Sequence, residues 1–349
     1  MGIRDPLDLS CGQIDRLAAR VLEGGEVQEA EALWMIGLED PGTIRYLARA
    51  AHRITIRFNG KTPRLCSLVN AKSHLCGEDC AFCSQSARYR TEAEPYSLMS
   101  AEAVLEHAKK LEAAGTRDFC VVTSGRELSE SEFEKVLGIF RLLRKETRLH
   151  LDGSLGFLTR DRAKRLKEAG LRRYNNNLQT SERFYPRIVS THSHAKRRET
   201  LEILREEGIE ICAGGILGMG ESREDRVRLA FEIKPYAPHC LPINILNPRP
   251  GTPLEGRSKE DFLEILKTIA VFRFVHPRAN IKLAGGREYN LSPSEQEEAL
   301  QGGANGMITG GYLTTEGNEV SDDLRMLIRI GYEPEGLEAL GLSPSAKLP

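Results

Sequence analysis

The chain has 349 residues, 40% of them hydrophobic and 28% charged, an ordinary balance for a folded enzyme. Its 49 basic and 50 acidic residues leave a net charge of −1, which excludes the basic surface that nucleic acid requires. No apolar run approaches the ~18 residues that span a bilayer. The opening MGIRDPLDLS lacks a signal pattern, and Pro6 stands where a myristoylation pattern needs Ser or Thr, so a cytoplasmic protein with no membrane partner is expected.

At roughly 150 residues per domain this length suits two domains, but one α/β barrel uses it equally well. Residues 1–60 read as a helical extension, because VQEAEALWMIG and GTIRYLARAAHRI repeat apolar residues at three- and four-residue steps. Short apolar runs then alternate with amphipathic helices. The runs are Leu65–Asn70, Asp118–Ser124, Leu149–Asp152, Arg173–Asn177, Glu210–Gly215, Leu241–Leu246, Asn280–Ala284 and Gly306–Thr309. Several of the helices between them end in Gly. Strands separated by such helices form parallel βαβ units. Eight of them predict an α/β fold, a closed (β/α)8 TIM-type barrel over 61–335, followed by a tail at 336–349. An open doubly wound sheet is the alternative. In either, the site falls at the C-terminal ends of the strands.

Eight cysteines stand at positions 11, 66, 76, 80, 83, 120, 212 and 240. A chain of this size in a reducing compartment needs no disulfides, so clustered cysteines point to metal. LCGEDCAFCSQS sets Cys76, Cys80 and Cys83 on one loop after the first strand. Structural zinc takes four closed ligands, usually as two separated pairs. Three thiolates with no local fourth suit instead a 4Fe-4S cluster with one iron left open to a substrate or cofactor. A zinc site with a distant ligand and a merely cysteine-rich loop are the other readings. Cys66, Cys120 and Cys212 each lie a few residues before a strand exit, on the first, second and fifth strands. A lone buried cysteine is a small hydrophobe, but three at one depth of a barrel interior, where branched aliphatics belong, suggest a second metal site.

The Cys-x3-Cys-x-aromatic-Cys loop, with Phe82 before its third cysteine, resembles the signature of the radical S-adenosylmethionine (SAM) enzymes. The likeness to the biotin synthase family runs from about Ala51 to Pro334. It is carried by LVNAKSHLCGEDCAFCSQS, RYNNNLQTSERFY, GGILGMGE, LPINILNPRPGTPLE, KLAGGRE and the stretch from TGGYLTT to IGYEP. The resemblance implies that the open iron chelates the amino and carboxylate groups of SAM. It implies reductive cleavage to a 5′-deoxyadenosyl radical and insertion of sulfur from an auxiliary iron–sulfur cluster into dethiobiotin. By the same resemblance Phe82, Ser124, Asn177, Gln179, Arg197, Gly215 and Gly218 are expected around SAM, and Asn175, Asn244 and Lys282 around the substrate. Relatives usually carry Asp at the position of Gln179.

The familiar auxiliary cluster is a 2Fe-2S centre held by three cysteines and an arginine. Two of those cysteines match Cys120 and Cys212, the third matches Asp152, and the arginine matches Lys282, while Cys66 stands at a position that is commonly serine. A variant form, with an auxiliary cluster of 4Fe type on Cys66, Cys120 and Cys212 in place of 2Fe-2S, is therefore expected. Cys11 and Cys240 read as free thiols without a role. A flavodoxin- or ferredoxin-type electron donor and a homodimer follow from the resemblance. The competing readings are a related radical enzyme acting on another substrate, such as in metallocofactor assembly, and a non-catalytic iron–sulfur redox protein.

Overall fold

The structure is a computed structural model, and it describes residues 6–314, 317–337 and 341. The expected tail therefore lies outside the described residues except at 336, 337 and 341. Three helices come first: α1 (Pro6–Leu22), α2 (Glu29–Ile36) and α3 (Pro41–Asn59). Asp40 caps α3 by accepting from the Thr43 amide, Pro41 opens it, and Gly60 stops it at φ +69°. Its buried stripe of Ile44, Leu47, Ala48, Ala51 and Ile54 faces inward.

The strands are β1 (Arg64–Lys72), β2 (Asp118–Thr123), β3 (His150–Ser154), β4 (Arg173–Asn175), β5 (Glu210–Cys212), β6 (Gly215–Leu217), β7 (Cys240–Ile245), β8 (Asn280–Leu283) and β9 (Gly306–Ile308). All pairings among them are parallel. Segments β5 and β6 are two halves of one strand, since both pair with β7. Pairing of Cys212 with Cys240 closes the circle, giving an eight-stranded barrel rather than an open sheet. The strands are almost wholly buried, as both faces of a parallel barrel are covered.

The break between β5 and β6 has a steric cause. A Cβ on Gly214 would lie 2.0 Å from the Pro242 carbonyl oxygen, so only glycine lets the two backbones meet at this seam. The connecting helices include α4 (Ala101–Ala113), α5 (Glu130–Glu146), α6 (Arg160–Ala169), α7 (His194–Glu206), α8 (Arg223–Ile233) and α9 (Phe262–Val275). Helix α3 packs along α9, and α2 lies against α8 and α9, so the extension clothes the outside of the barrel and leaves its mouth open. No helix among the described residues is long and apolar enough to cross a membrane.

Candidate active site

The loop after β1 carries the three cysteines, and other parts of the chain hold it in place. The Cys76 amide donates to the Gln85 carbonyl, and the Ala87 amide donates to the Cys76 carbonyl. The Asp79 carboxylate accepts from the amides and hydroxyls of Ser190 and Thr191. Burial alone would raise this carboxyl, but those hydrogen bonds hold it well below the usual carboxylate range. His74 and Leu75, at φ +60° and +58°, turn the chain from β1 into the loop. Ala81, Phe184, Tyr185, Ile188, Val189, Met219 and Leu246 form an apolar shell around Cys80. Burial pushes the Cys80 thiol up to about 12, against the attraction of Arg197, and raises Cys83.

These thiols open on a cavity of about 430 Å³ at the C-terminal ends of the strands. Cys66, Cys120 and Cys212 line its floor. Phe82, Ser124, Asn175, Asn177, Gln179, Arg197, Asn244 and Lys282 also line it, because side chains alternate along each strand and its exit. Gly215 stands behind the wall, where a Cβ would strike the Gln179 carbonyl at 2.6 Å. Gly218 lines a separate surface cavity with Arg226 and Arg257.

Within the cavity the polar side chains divide into two groups. The Gln179 Oε1 and Asn175 Oδ1 atoms are buried and have no protein partner. A buried acceptor left unpaired costs roughly 1–3 kcal/mol, so both atoms are prepared for a ligand. Gln179 also sits at φ +73°, a strained conformation of the kind found in binding sites. Other side chains spend part of their hydrogen-bonding capacity on the frame and keep the rest for a ligand. Asn177 Oδ1 accepts from the Gly214 amide at 2.9 Å. Asn244 donates to the Gly215 carbonyl and accepts from the Gly285 amide, bracing neighbouring strands. The Ser124 hydroxyl donates to the His74 carbonyl at 2.7 Å, tying the exit of β2 to the cysteine loop.

Arg197 donates from Nε to the Tyr185 hydroxyl at 2.6 Å and from Nη1 to the Asn177 carbonyl at 3.1 Å. Tyr185 in turn donates to His192 Nε2 at 2.7 Å, and His192 Nδ1 donates to Glu78, inside the cysteine loop. One chain of hydrogen bonds thus runs from the loop to Arg197. Burial holds His192 below its ordinary value, in keeping with a neutral ring that passes donor to acceptor.

Beneath the floor the barrel holds charges instead of aliphatics. Arg173 reaches Asp152 at 2.8 Å and Asp118 at 2.8 Å, and Lys282 Nζ lies 3.4 Å from Asp118. Asp152 is thus an ion-pair partner of Arg173, with His150 at 3.0 Å. Burial pushes the Cys66 thiol up to about 12 and raises Cys120 strongly. Cys240 is a free thiol, as expected, and lies inside the barrel. It is fully buried and stands in register with Cys212. Its strand neighbours Pro242 and Asn244 line the cavity, so the two-residue period alone places Cys240 on the inner face.

The barrel with its three-cysteine loop defines the class. Residues 71–233 match the Radical SAM superfamily, and residues 242–333 match the Biotin and Thiamin Synthesis associated domain. The chain is 47% identical over 313 residues to the biotin synthase of Pelotomaculum thermopropionicum, covering 90% of this chain and 97% of that protein. It is 43% identical to the biotin synthase of Carboxydothermus hydrogenoformans, covering 92% of this chain and 99% of the relative. The chain belongs to the biotin synthase family. The fold is shared with methylornithine synthase, at a TM-score of 0.81 and 19% identity over 93% of this chain and 99% of that one. It is also shared with the FeFe-hydrogenase maturase HydG from Carboxydothermus hydrogenoformans, at 0.78 and 17% over 93% and 80%.

The residues present fit an iron–sulfur cofactor. Among the described residues no three His, Cys, Asp or Glu side chains gather to hold a single metal ion. Thiolates of a cuboidal cluster each take a different iron and so stand apart around it. Three loop thiols on one cavity wall, sheathed by apolar side chains, match that donor set.

Proposed function

We propose that this enzyme makes biotin by inserting sulfur into dethiobiotin at the mouth of its barrel. Cys76, Cys80 and Cys83 hold the 4Fe-4S cluster that binds SAM, and Cys66, Cys120 and Cys212 hold an auxiliary cluster of 4Fe type. When bound, these groups supply the electron that cleaves SAM to a 5′-deoxyadenosyl radical, and the sulfur that enters the product. The observation that carries this reading is one cavity with both sets of thiols on its walls and unpaired acceptors between them.

The chain's own residues bind and orient. Gln179 and Asn177 face the ribose of SAM, and Arg197 offers its remaining donors to the methionine carboxylate. Asn175 and Asn244 hold the ureido ring of dethiobiotin through amide hydrogen bonds. Phe82 and the apolar shell at Cys80 keep water from the radical. Lys282 contributes positive charge beside the floor thiols. Gly215 acts through the backbone, keeping the adenine side of the site close, while Gly218, in its separate cavity, is left out of the SAM site. The chain divides, on this reading, into an extension over 1–60, the catalytic barrel over 61–335 and a tail. A flavodoxin- or ferredoxin-type donor and a homodimer rest on the family resemblance.

The test is anaerobic turnover of the reconstituted enzyme with dethiobiotin, SAM and a low-potential reductant, with both products quantified. Biotin formed together with 5′-deoxyadenosine is expected. Deoxyadenosine without any biotin would overturn the assignment of substrate.

A further inference from the structure

The floor of the barrel holds a fourth thiol, contributed by the strand opposite β5 across the seam. Cys240 opens β7 on its inward face, one step deeper than Pro242. It pairs in register with Cys212 across the seam where the barrel closes. A structural buried cysteine sits among apolar side chains. Cys240 instead stands in register with another cysteine, and its strand neighbour Pro242 with Lys282, a cation that shares Asp118 with Arg173. The same layer carries Asp118 and Asp152, which hold those cations in place. A barrel interior built for packing alone would carry branched aliphatics here.

We propose that Cys240 is the fourth cysteine ligand of the auxiliary cluster, beside Cys66, Cys120 and Cys212, an assignment that rests on the proposed auxiliary site. One thiolate for each iron of a four-iron cluster requires four cysteines, and the barrel supplies four. Lys282 then has no ligand duty. Its ammonium ligates only when deprotonated, and it lies against Asp118 as an ion-pair partner. Lys282 and Arg173 offset the negative charge of the thiolate cage. Closure of the barrel at Cys212 and Cys240 brings two of the four ligands together, so the seam of the fold is also an edge of the metal site.

The test isolates the floor site in a full-length chain in which Cys76, Cys80 and Cys83 are all replaced by Ala. After anaerobic reconstitution with iron and sulfide, iron and sulfide per chain and the Mössbauer spectrum are measured. About four irons are expected in this background. Adding Cys240→Ser is expected to cut the iron at least twofold and to change the spectrum, whereas adding Lys282→Met is expected to leave the iron count intact. Unchanged iron and spectrum with Cys240→Ser would overturn the assignment while leaving the auxiliary site standing. No iron in the three-alanine background would remove the auxiliary site and this assignment with it. Should Cys240→Ser fail to fold, judged by circular dichroism, Cys240→selenocysteine in the otherwise natural chain decides the matter. Selenium X-ray absorption is expected to show an iron–selenium path, and its absence overturns the proposal.

Discussion

Arg173 donates from Nε to Asp152 Oδ2 at 2.9 Å in a part of the barrel closed to water. The same guanidinium reaches Asp118 at 2.8 Å, and Lys282 lies 3.4 Å from Asp118, so two cations face two buried carboxylates. Breaking such a group by removing one partner leaves charge unpaired and costs about 3–5 kcal/mol. Arg173→Met is expected to lower the unfolding free energy by that order, read from urea denaturation under anaerobic conditions. Asp152→Ala is expected to act in the same way, reducing stability while the iron content of the reconstituted enzyme stays near that of the wild type. A fall in iron without a fall in stability would make Asp152 a cluster ligand and contradict its placement here.

Tyr185 stands between the cysteine loop and Arg197, accepting from Arg197 Nε and donating to His192. Tyr185→Phe keeps the ring and its packing but frees the guanidinium. A hydrogen bond to a charged group is worth about 1.5–3 kcal/mol. SAM affinity is expected to fall about tenfold, with the iron content unchanged, by anaerobic equilibrium dialysis. Loss of iron together with affinity would mean that the network supports the loop rather than Arg197.

His150 lies under the floor between Asp152, Glu210 and Asp118, with Arg173 opposing. Burial would lower its pKa, but hydrogen bonds to Asp152 and Glu210 raise it to about 9. A histidine raised on folding stabilises fully below its unfolded value near 6.5, and that contribution fades as pH rises through about 9. The contribution is at most ~3 kcal/mol, and partial solvent access reduces it. Unfolding free energy is therefore expected to fall between pH 6.5 and 9 in the wild type, by more than in His150→Gln. Parallel curves for the two proteins would remove His150 as the cause.

Eight strands were legible because each is a short run between amphipathic helices, most of them largely apolar, and parallel barrels bury both faces of every strand. The split of the fifth strand was not, since it follows from the contact of Gly214 with Pro242, which only closure creates. The loop thiols were legible from spacing alone. Cys240 was within reach of the same arithmetic: Asn244, four residues on, is expected to face inward, and a two-residue period carries that face back to Cys240. Its pairing with Cys212 was not, because chain order separates β5 from β7 by another strand segment and a helix. The pairing of Glu78 with His192 spans 114 positions, and no local pattern marks it. Arg173 was hidden differently: it reads as the polar start of a strand, and only the barrel turns it inward onto two carboxylates.

Gln179 gives the cleanest separation between binding and folding. Its Oε1 is buried without a partner, and its backbone is held at φ +73° by the parallel bridge to Gly215. Removing the amide therefore takes no hydrogen bond from the folded chain and relieves an unpaired acceptor. Gln179→Ala is expected to leave the melting temperature unchanged or slightly raised. If the amide meets the ribose of SAM, the same variant weakens SAM binding about tenfold, the usual worth of one buried hydrogen bond. Gln179→Asp introduces a carboxylate, a stronger acceptor for ribose hydroxyls, and is expected to bind SAM at least as tightly as the wild type. Stability lost without any change in affinity would show that Gln179 serves the fold, and would move the ribose contact elsewhere on the cavity wall.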